Sequence, residues 1–180
     1  HWLRDPVRDE YVKNPDLEKQ ILGGEAAVWA EFVTDELFDK RVWPRTAAVA
    51  ERFWSAKSLR NVDAMYERLD AVSLHLDRLG IRHLQTYEAG LRSLAGGNET
   101  DALKTLVDLL EPVRSYRRHQ LYIRANEQRY TQFTPLTRTV DYAWSDSPAA
   151  RSFRRDVERY LSAPKMNAAL LLQIKVQLKI

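Results

Sequence analysis

The chain has 180 residues, a net charge of +3, 44% hydrophobic residues and no cysteine. This length allows one good core or two small ones, and the lack of cysteine excludes a disulfide framework and a thiolate metal site. No run of about 18 apolar residues occurs, so no membrane-spanning helix is predicted. Because the first residue is His1 rather than Met, we interpret the chain as a piece of a longer protein. Its lack of a leader then says nothing about compartment.

The chain begins with a loop-like stretch, residues 1–20, and then has one strand-like segment. The short apolar run Ala26–Trp29 follows two glycines and predicts a β-strand over about residues 21–29. Pro44 predicts the start of a helix over about residues 44–55, because proline is well tolerated in a first helical turn.

The next segment has the most regular helical pattern in the sequence. Apolar residues recur at spacings of three and four from Val62 to Leu79, preceded by the cap residue Asn61 and followed by Gly80. A helix over about residues 62–79 is predicted, and its apolar seam needs a partner surface along its whole length. The stretch through Tyr87 and Leu94 is interpreted as a less regular connection.

Further helices are predicted after a turn at residues 96–98. Cap residues and first-turn prolines place them at about 101–110, from Pro112 to about Tyr130, 135–144, 148–162 and 166–180. The last residues alternate like a strand, but Met166, Leu170 and Ile174 are spaced as in a helix, and we choose the helix. The predicted fold is therefore mostly α with one strand.

Arginines and tyrosines alternate in the predicted helix that ends near Tyr130. Such a surface can bind nucleic acid by pairing with phosphates and stacking on bases. The alternative is a solvated helix face whose arginines pair in part with carboxylates at helical spacing. We prefer the alternative, because a net charge of +3 is small for a basic domain. No nucleic-acid partner is predicted.

Trp29 and Glu31 lie two positions apart at the end of the predicted strand. Alternate residues of a strand point to the same side. The broad apolar face of a tryptophan can stack on a sugar ring, and a carboxylate can accept hydrogen bonds from two sugar hydroxyls. The pair is therefore a candidate carbohydrate site, and the alternative is a core tryptophan beside a surface glutamate.

The surrounding sequence strengthens the carbohydrate interpretation. "GGEAAVWAEF" followed by "RVWPRTAAVAERFWS" closely resembles the last strand and last helix of the catalytic TIM barrel in the family-20 β-N-acetylhexosaminidases. The resemblance implies that residues 1–87 are the C-terminal end of that barrel. Residues 88–180 resemble, on weaker grounds, the helical C-terminal extensions of bacterial members.

The resemblance also implies an activity and a site. Members remove terminal N-acetyl-β-hexosamine residues from oligosaccharides or glycoconjugates by substrate-assisted, retaining catalysis without a cofactor. Trp29 would form one wall of the sugar pocket, and Glu31 would bind the hydroxyls at positions 4 and 6. A periplasmic or secreted location is expected from the family.

The family's catalytic residues are an adjacent Asp and Glu that follow a His-x-Gly-Gly sequence. Asp9-Glu10 and Asp35-Glu36 lack that context, so no catalytic residue is expected in this chain, and the chain alone should be inactive. Because one strand of the eight cannot close a barrel, we expect Val28, Trp29 and Trp43 to be exposed or to pack between molecules.

Two other function classes stay open. Residues 88–180 could be a helical module for protein interaction or oligomerisation, and the arginine–tyrosine helix could bind nucleic acid. The histidines show no ligand spacing with each other or with carboxylates, so no metal site is predicted. They are His1, His75, His83 and His119.

Overall fold

The computed structural model describes residues 2–3, 16, 19–30, 32–112, 116–126, 129–163 and 168–177. Helices account for most of these residues, which confirms the predicted mostly α fold. They are α1 (Asp35–Val42), α2 (Arg45–Trp54), α3 (Val62–Arg78), α4 (His83–Ala95), α5 (Asp101–Leu109), α6 (Arg117–Asn126), α7 (Thr139–Tyr142), α8 (Pro148–Ser162) and α9 (Ala168–Gln177). In the described part of the chain, no helix is both long and apolar enough to cross a membrane.

The predicted strand over residues 21–29 is not formed. Residues 21–30 have no regular secondary structure and are exposed throughout. A strand needs a neighbouring strand to pair with its backbone N–H and C=O groups. The described residues contain no second strand, so the apolar run has nothing to pair with.

The chain divides into two compact units, His1–Leu84 and Gln85–Ile180. The assignment of residues 1–87 to a barrel end and of 88–180 to an extension stays a prediction. In the first unit, α2 packs against α3. Leu37, Met65 and Leu69 are the buried apolar side chains of that unit among the described residues.

Helix α3 begins and ends at the residues that the sequence indicated. The Asn61 side chain accepts a hydrogen bond from the Ala64 N–H at 3.0 Å and so caps the first turn. Gly80 has a φ of +90°, a conformation that glycine adopts without strain. The Gly80 and Ile81 N–H groups donate to the Asp77 and Leu76 carbonyls, which closes the helix with a Schellman motif.

The second unit has a core made by helices α4, α5 and the residue that follows α7. Tyr87, Leu91, Val107 and Ala143 are its buried members. Helix α5 also packs against α8, and α8 packs against α9. Because α4 supplies Tyr87 and Leu91, this core depends on a helix where the sequence was expected to form an irregular connection.

The predicted helix over residues 135–144 is also wrong, since α7 is a single turn. Thr134 does not cap a helix. Its hydroxyl accepts from the Thr131 N–H at 2.8 Å, and its own N–H donates to the Thr131 carbonyl, which makes a closed turn before Pro135. By contrast, Ser147 does cap α8, and accepts from the Ala150 N–H at 3.4 Å.

The two remaining helices are shorter in the described residues than the sequence predicted. Helix α6 spans Arg117–Asn126, and residues 129–130 after it have no regular structure. Helix α9 spans Ala168–Gln177. The predicted ends at residues 166–167 and 178–180 lie outside the described residues.

Candidate carbohydrate site

Trp29 lies on the irregular segment that precedes α1, and its side chain is 82% exposed. Val28 is exposed as well, whereas Trp43 is half-buried. Glu31, the other predicted site residue, lies outside the described residues. The structure therefore places Trp29 at an open surface and gives no geometry for the predicted pair.

The segment with Trp29 lies between a close contact at Gly24 and the start of α1 at Thr34. On one side, Gly24 lies directly against the ring of Phe53 on α2: a Cβ added at Gly24 would be 2.5 Å from Phe53 Cζ. On the other side, the Thr34 hydroxyl accepts from the Leu37 N–H at 3.2 Å and caps α1. Trp29 is midway between Gly24 and Thr34 in the sequence.

Helix α2 carries Phe53. The two residues directly before Phe53 make hydrogen bonds that fix this helix. Glu51 accepts two hydrogen bonds from Arg68 on α3, from Nη2 at 2.6 Å and from Nε at 3.3 Å. Such fork-shaped pairs define orientation as well as distance. Arg52 donates to the carbonyls of Ser55, Ala56 and Leu59, which closes the turn after the helix.

The acidic pair Asp35-Glu36 has no catalytic setting. Both side chains are exposed in the first turn of α1. Carboxylates in a first turn are stabilised by the helix dipole, which accounts for these residues without a catalytic role. The other acidic pair, Asp9-Glu10, lies outside the described residues.

A buried polar contact that the sequence did not indicate lies at the start of α4. His83 is fully buried, with its Nε2 atom 2.6 Å from the Ser73 hydroxyl and its Nδ1 atom 3.3 Å from the Ile81 carbonyl oxygen. Both ring nitrogens therefore have partners within the first unit. Among the described residues, no group of three or more His, Asp and Glu side chains is placed to hold a metal ion.

The tyrosines around α6 pack on each other. Tyr122 and Tyr130 meet edge to face with ring centroids 5.6 Å apart, and Tyr130 is buried. The His119 Nδ1 atom lies 3.2 Å from the Tyr130 carbonyl oxygen. Tyr130 is buried and cannot stack on a base, so this packing gives Tyr122 and Tyr130 a structural role, whereas Tyr116 is 54% exposed.

A large pKa shift lies in the core of the second unit. Burial raises the pKa of the Tyr87 phenol well above its usual value, and the hydrogen bond to Asp108 raises it further. The Tyr87 hydroxyl donates to Asp108 Oδ1 at 2.5 Å. Lys104 lies over the Tyr87 ring and pairs with Asp108 Oδ2 at 3.3 Å. Tyr87, Lys104 and Asp108 thus contact one another, and we assign them a structural role in the core of the second unit.

Parts of the chain are similar to a glycosyl hydrolase family model and to known β-hexosaminidases. Residues 3–57 match the family model described as glycosyl hydrolase family 20, catalytic domain. β-Hexosaminidase subunit alpha of Bos taurus is 39% identical over 81 residues, which are 45% of this chain and 15% of the relative. β-Hexosaminidase subunit beta of Homo sapiens is 47% identical over 53 residues, or 29% of this chain and 10% of the relative.

A solved structure is similar over nearly the whole chain. The chitobiase of Flavobacterium johnsoniae superposes with a TM-score of 0.80 at 34% identity, over 94% of this chain and 25% of that one. The similarity therefore extends well into the second unit. The chain spans about a quarter of the length of this neighbour and 15% or less of the two relatives named above.

Proposed function

We propose, on the premise that residues 3–57 are a segment of the glycosyl hydrolase family 20 catalytic domain, that the full-length protein is an exo-β-N-acetylhexosaminidase. The match to this domain is the observation that carries the proposal. The β-hexosaminidases and the chitobiase support it, and they favour it over a helical interaction module or a nucleic-acid binder.

The proposed substrate is a terminal N-acetyl-β-hexosamine, either N-acetylglucosamine or N-acetylgalactosamine. Catalysis is substrate-assisted: the 2-acetamido oxygen of the sugar attacks the anomeric carbon while a glutamic acid protonates the leaving oxygen. An adjacent aspartate steadies the acetamido group. These two acids come from a part of the enzyme outside this chain, and no cofactor is required.

The contribution of this chain is to hold the sugar. Trp29 forms one wall of the pocket, and its exposed indole face is available for a sugar ring. Glu31 accepts hydrogen bonds from the hydroxyls at positions 4 and 6, the side of the sugar away from the bond that is cleaved. The pair thus selects a non-reducing end, which makes the enzyme exo-acting.

We take the structural neighbour as support for a biological substrate. A chitobiase is similar over 94% of this chain, which supports chitin oligosaccharides as the natural substrate and a bacterial origin. The periplasmic or secreted location that the family suggests is proposed for the full-length protein.

A glutamine at position 31 tests the site in the full-length enzyme. Glu31→Gln keeps the shape of the side chain but weakens one or two charged hydrogen bonds, each worth roughly 1.5–3 kcal/mol. We expect kcat/KM on an aryl N-acetyl-β-glucosaminide to fall on the order of 10- to 1000-fold, with thermal stability nearly unchanged.

The matched control is Glu36→Gln. Glu36 is exposed in α1, five positions after Glu31. It should leave kcat/KM within about twofold of wild type, since its side chain is proposed to touch no sugar. If Glu31→Gln has wild-type kinetics, Glu31 does not bind the sugar and its proposed place in the pocket is wrong. A full-length wild-type enzyme with no hydrolysis of the glycoside would overturn the proposed activity.

A further inference from the structure

We infer that the outer face of α9, defined as Ala169, Leu172 and Val176, packs on the part of the catalytic domain that lies outside this chain. The inference goes beyond the proposed function, because it gives the second unit a docking role. It requires that the full-length protein contain a family 20 catalytic domain, but it does not require hydrolysis.

Helix α9 has apolar side chains on two opposite sides. It packs against α8, and its Ile174 is buried, with 6% of the residue exposed. Leu172 and Val176 are 67% and 63% exposed, and Ala169 is exposed as well. Because consecutive residues of a helix are about 100° apart, Leu172 and Val176 lie side by side, opposite Ile174. The spacing of three and four from Ala169 to Val176 is that of a seam between helices.

The composition of α9 is that of a helix covered on all sides. Of its ten residues, only Gln173, Lys175 and Gln177 are polar. Helices that are apolar all round normally lie in the interior of a larger structure, whereas a helix at a protein surface has a polar outer side. Helix α8 covers one side of α9. The outer face therefore needs a second covering surface that the described residues do not supply.

A lipid bilayer does not fit this face. A helix of ten residues is about 15 Å long, half the thickness of a hydrocarbon core of about 30 Å. Helices that lie in the plane of a membrane surface carry several Lys or Arg side chains on their polar side. In α9 only Lys175 is basic. We therefore take the covering surface to be protein.

The outer face is too small to hold two separate molecules together. Full burial of one aliphatic side chain removes roughly 60–120 Å² of apolar surface from water, so Leu172 and Val176 together supply about 250 Å² at most. A stable complex buries about 800 Å² on each partner. A small contact is sufficient within one polypeptide, since the covalent connection gives its two sides a high effective concentration. The size of the face therefore favours another part of the same protein over a second copy.

A protein of the chitobiase's length offers enough further chain to supply the covering surface. The chitobiase is similar over 94% of this chain, which corresponds to 25% of its length. Most of the second unit therefore has a counterpart in a protein with a further three quarters of chain. We assign the covering surface to the catalytic domain, because residues 3–57 match its family model and connect the second unit to it along the chain.

The test measures the reactivity of thiols introduced into α9 of the full-length enzyme. Leu172→Cys and Val176→Cys each place a thiol on the outer face and leave the other apolar side chain in position. Gln173→Cys is the matched control, since Gln173 is exposed in the same helix and is not part of the face. The reagent is N-ethylmaleimide, and mass spectrometry of peptides gives the labelling rate at each position. Residues 1–180 contain no natural cysteine.

We expect the two outer-face thiols to react at least about 10-fold more slowly than the Gln173→Cys thiol. Burial of one aliphatic side chain shifts a docking equilibrium by about 10- to 100-fold, and the thiol reacts only in the undocked state. A cross-linker that joins lysines adds a second measurement, because Lys175 is exposed directly before Val176. It should join Lys175 to a lysine of the catalytic domain outside residues 1–180.

Equal labelling of the outer-face and control thiols in lipid-free buffer would show that the face is exposed in the full-length enzyme and would overturn the inference. Slow labelling that becomes fast on dilution, together with a dimeric mass in analytical ultracentrifugation, assigns the face to a second copy and also overturns it. So does a Lys175 that forms no cross-link to the catalytic domain outside residues 1–180. Slow labelling of a monomer with that cross-link supports the inference. An inactive wild-type enzyme overturns the proposed function, whereas the labelling result still decides the docking of α9.

Discussion

Tyr87 is a buried tyrosine whose hydroxyl donates a hydrogen bond to a carboxylate. It is 2% exposed, it donates to Asp108, and its ring packs on Trp144 with centroids 4.9 Å apart. A phenolate at this position would be poorly solvated and would face the Asp108 carboxylate. The folded protein therefore keeps the phenol neutral, and the stability of the second unit should decrease at alkaline pH.

The first residue-scale prediction concerns that link. An unfolded Tyr87 ionises near pH 10, while the folded phenol keeps its proton because its pKa is raised. Above about pH 10 the unfolded state therefore binds fewer protons, and Tyr87 lowers the free energy of unfolding by up to about 1.4 kcal/mol per pH unit. The Tyr87→Phe variant has no phenol to ionise, so its free energy of unfolding lacks this pH dependence.

Urea unfolding at pH 8 to 11 measures the effect. At pH 8, Tyr87→Phe should be less stable than wild type by about 1.5–3 kcal/mol, because it loses a hydrogen bond to a carboxylate. The difference between the two free energies of unfolding should become smaller as the pH rises above 10. A gap between the two proteins that stays constant over this pH range would show that the phenol titrates alike in both states.

At the scale of elements, Gly90 decides how closely α4 approaches α7. A Cβ at this position would overlap the ring of Tyr142, which is buried. Glycine in a helix normally costs about 1 kcal/mol relative to alanine, so its presence here needs a reason. The reason is the Tyr142 ring, which occupies the space that a side chain would need.

Gly90→Ala should therefore destabilise the protein although alanine favours the helix. Overpacking of a filled core typically costs about 1–3 kcal/mol, and more where neighbours cannot move. Because the Tyr142 ring is buried, we take the upper part of that range, about 2–3 kcal/mol. After the gain of about 1 kcal/mol in helix propensity, we expect a net loss of about 1–2 kcal/mol in urea unfolding. Gly97→Ala is the control, since its Cβ would meet nothing within 4 Å and should change stability by less than about 0.5 kcal/mol. Equal stability of the two variants would contradict the close approach.

The sequence predicted those elements whose ends depend on local chemistry. Asn61, Gly80 and Ser147 each make their cap within a few residues, so composition and spacing suffice. Helix α4 was missed although apolar residues at positions 84, 87, 91 and 94 have helical spacing. The prediction at Thr134 failed because its hydroxyl turned back to Thr131, a choice that the downstream helical pattern does not encode.

At the scale of the whole molecule, the candidate site was identified from the sequence motif around it and not from the positions of its side chains in the structure. Trp29 and Glu31 were identified by the sequence around them, which matches a family 20 catalytic domain over residues 3–57. No strand forms around Trp29, because a strand needs neighbouring strands to pair with its backbone and the described residues contain none. A site assembled from several strands cannot be completed by one of them, whatever its sequence.

This incompleteness leads to the last prediction, that the 180-residue chain alone does not hydrolyse an aryl N-acetyl-β-glucosaminide. It contains the proposed sugar-binding residues, but neither of its Asp-Glu pairs follows a His-x-Gly-Gly sequence, and among the described residues Asp35 and Glu36 are exposed on α1. Without a general acid and the aspartate beside it, the chain can neither protonate the leaving oxygen nor orient the acetamido group. The measurement is release of the aryl group by purified chain at high concentration over many hours. The full-length enzyme under the same conditions is the positive control. Steady turnover that co-purifies with the isolated chain, and that survives Glu31→Gln, would show that an unrecognised catalytic group lies within these residues.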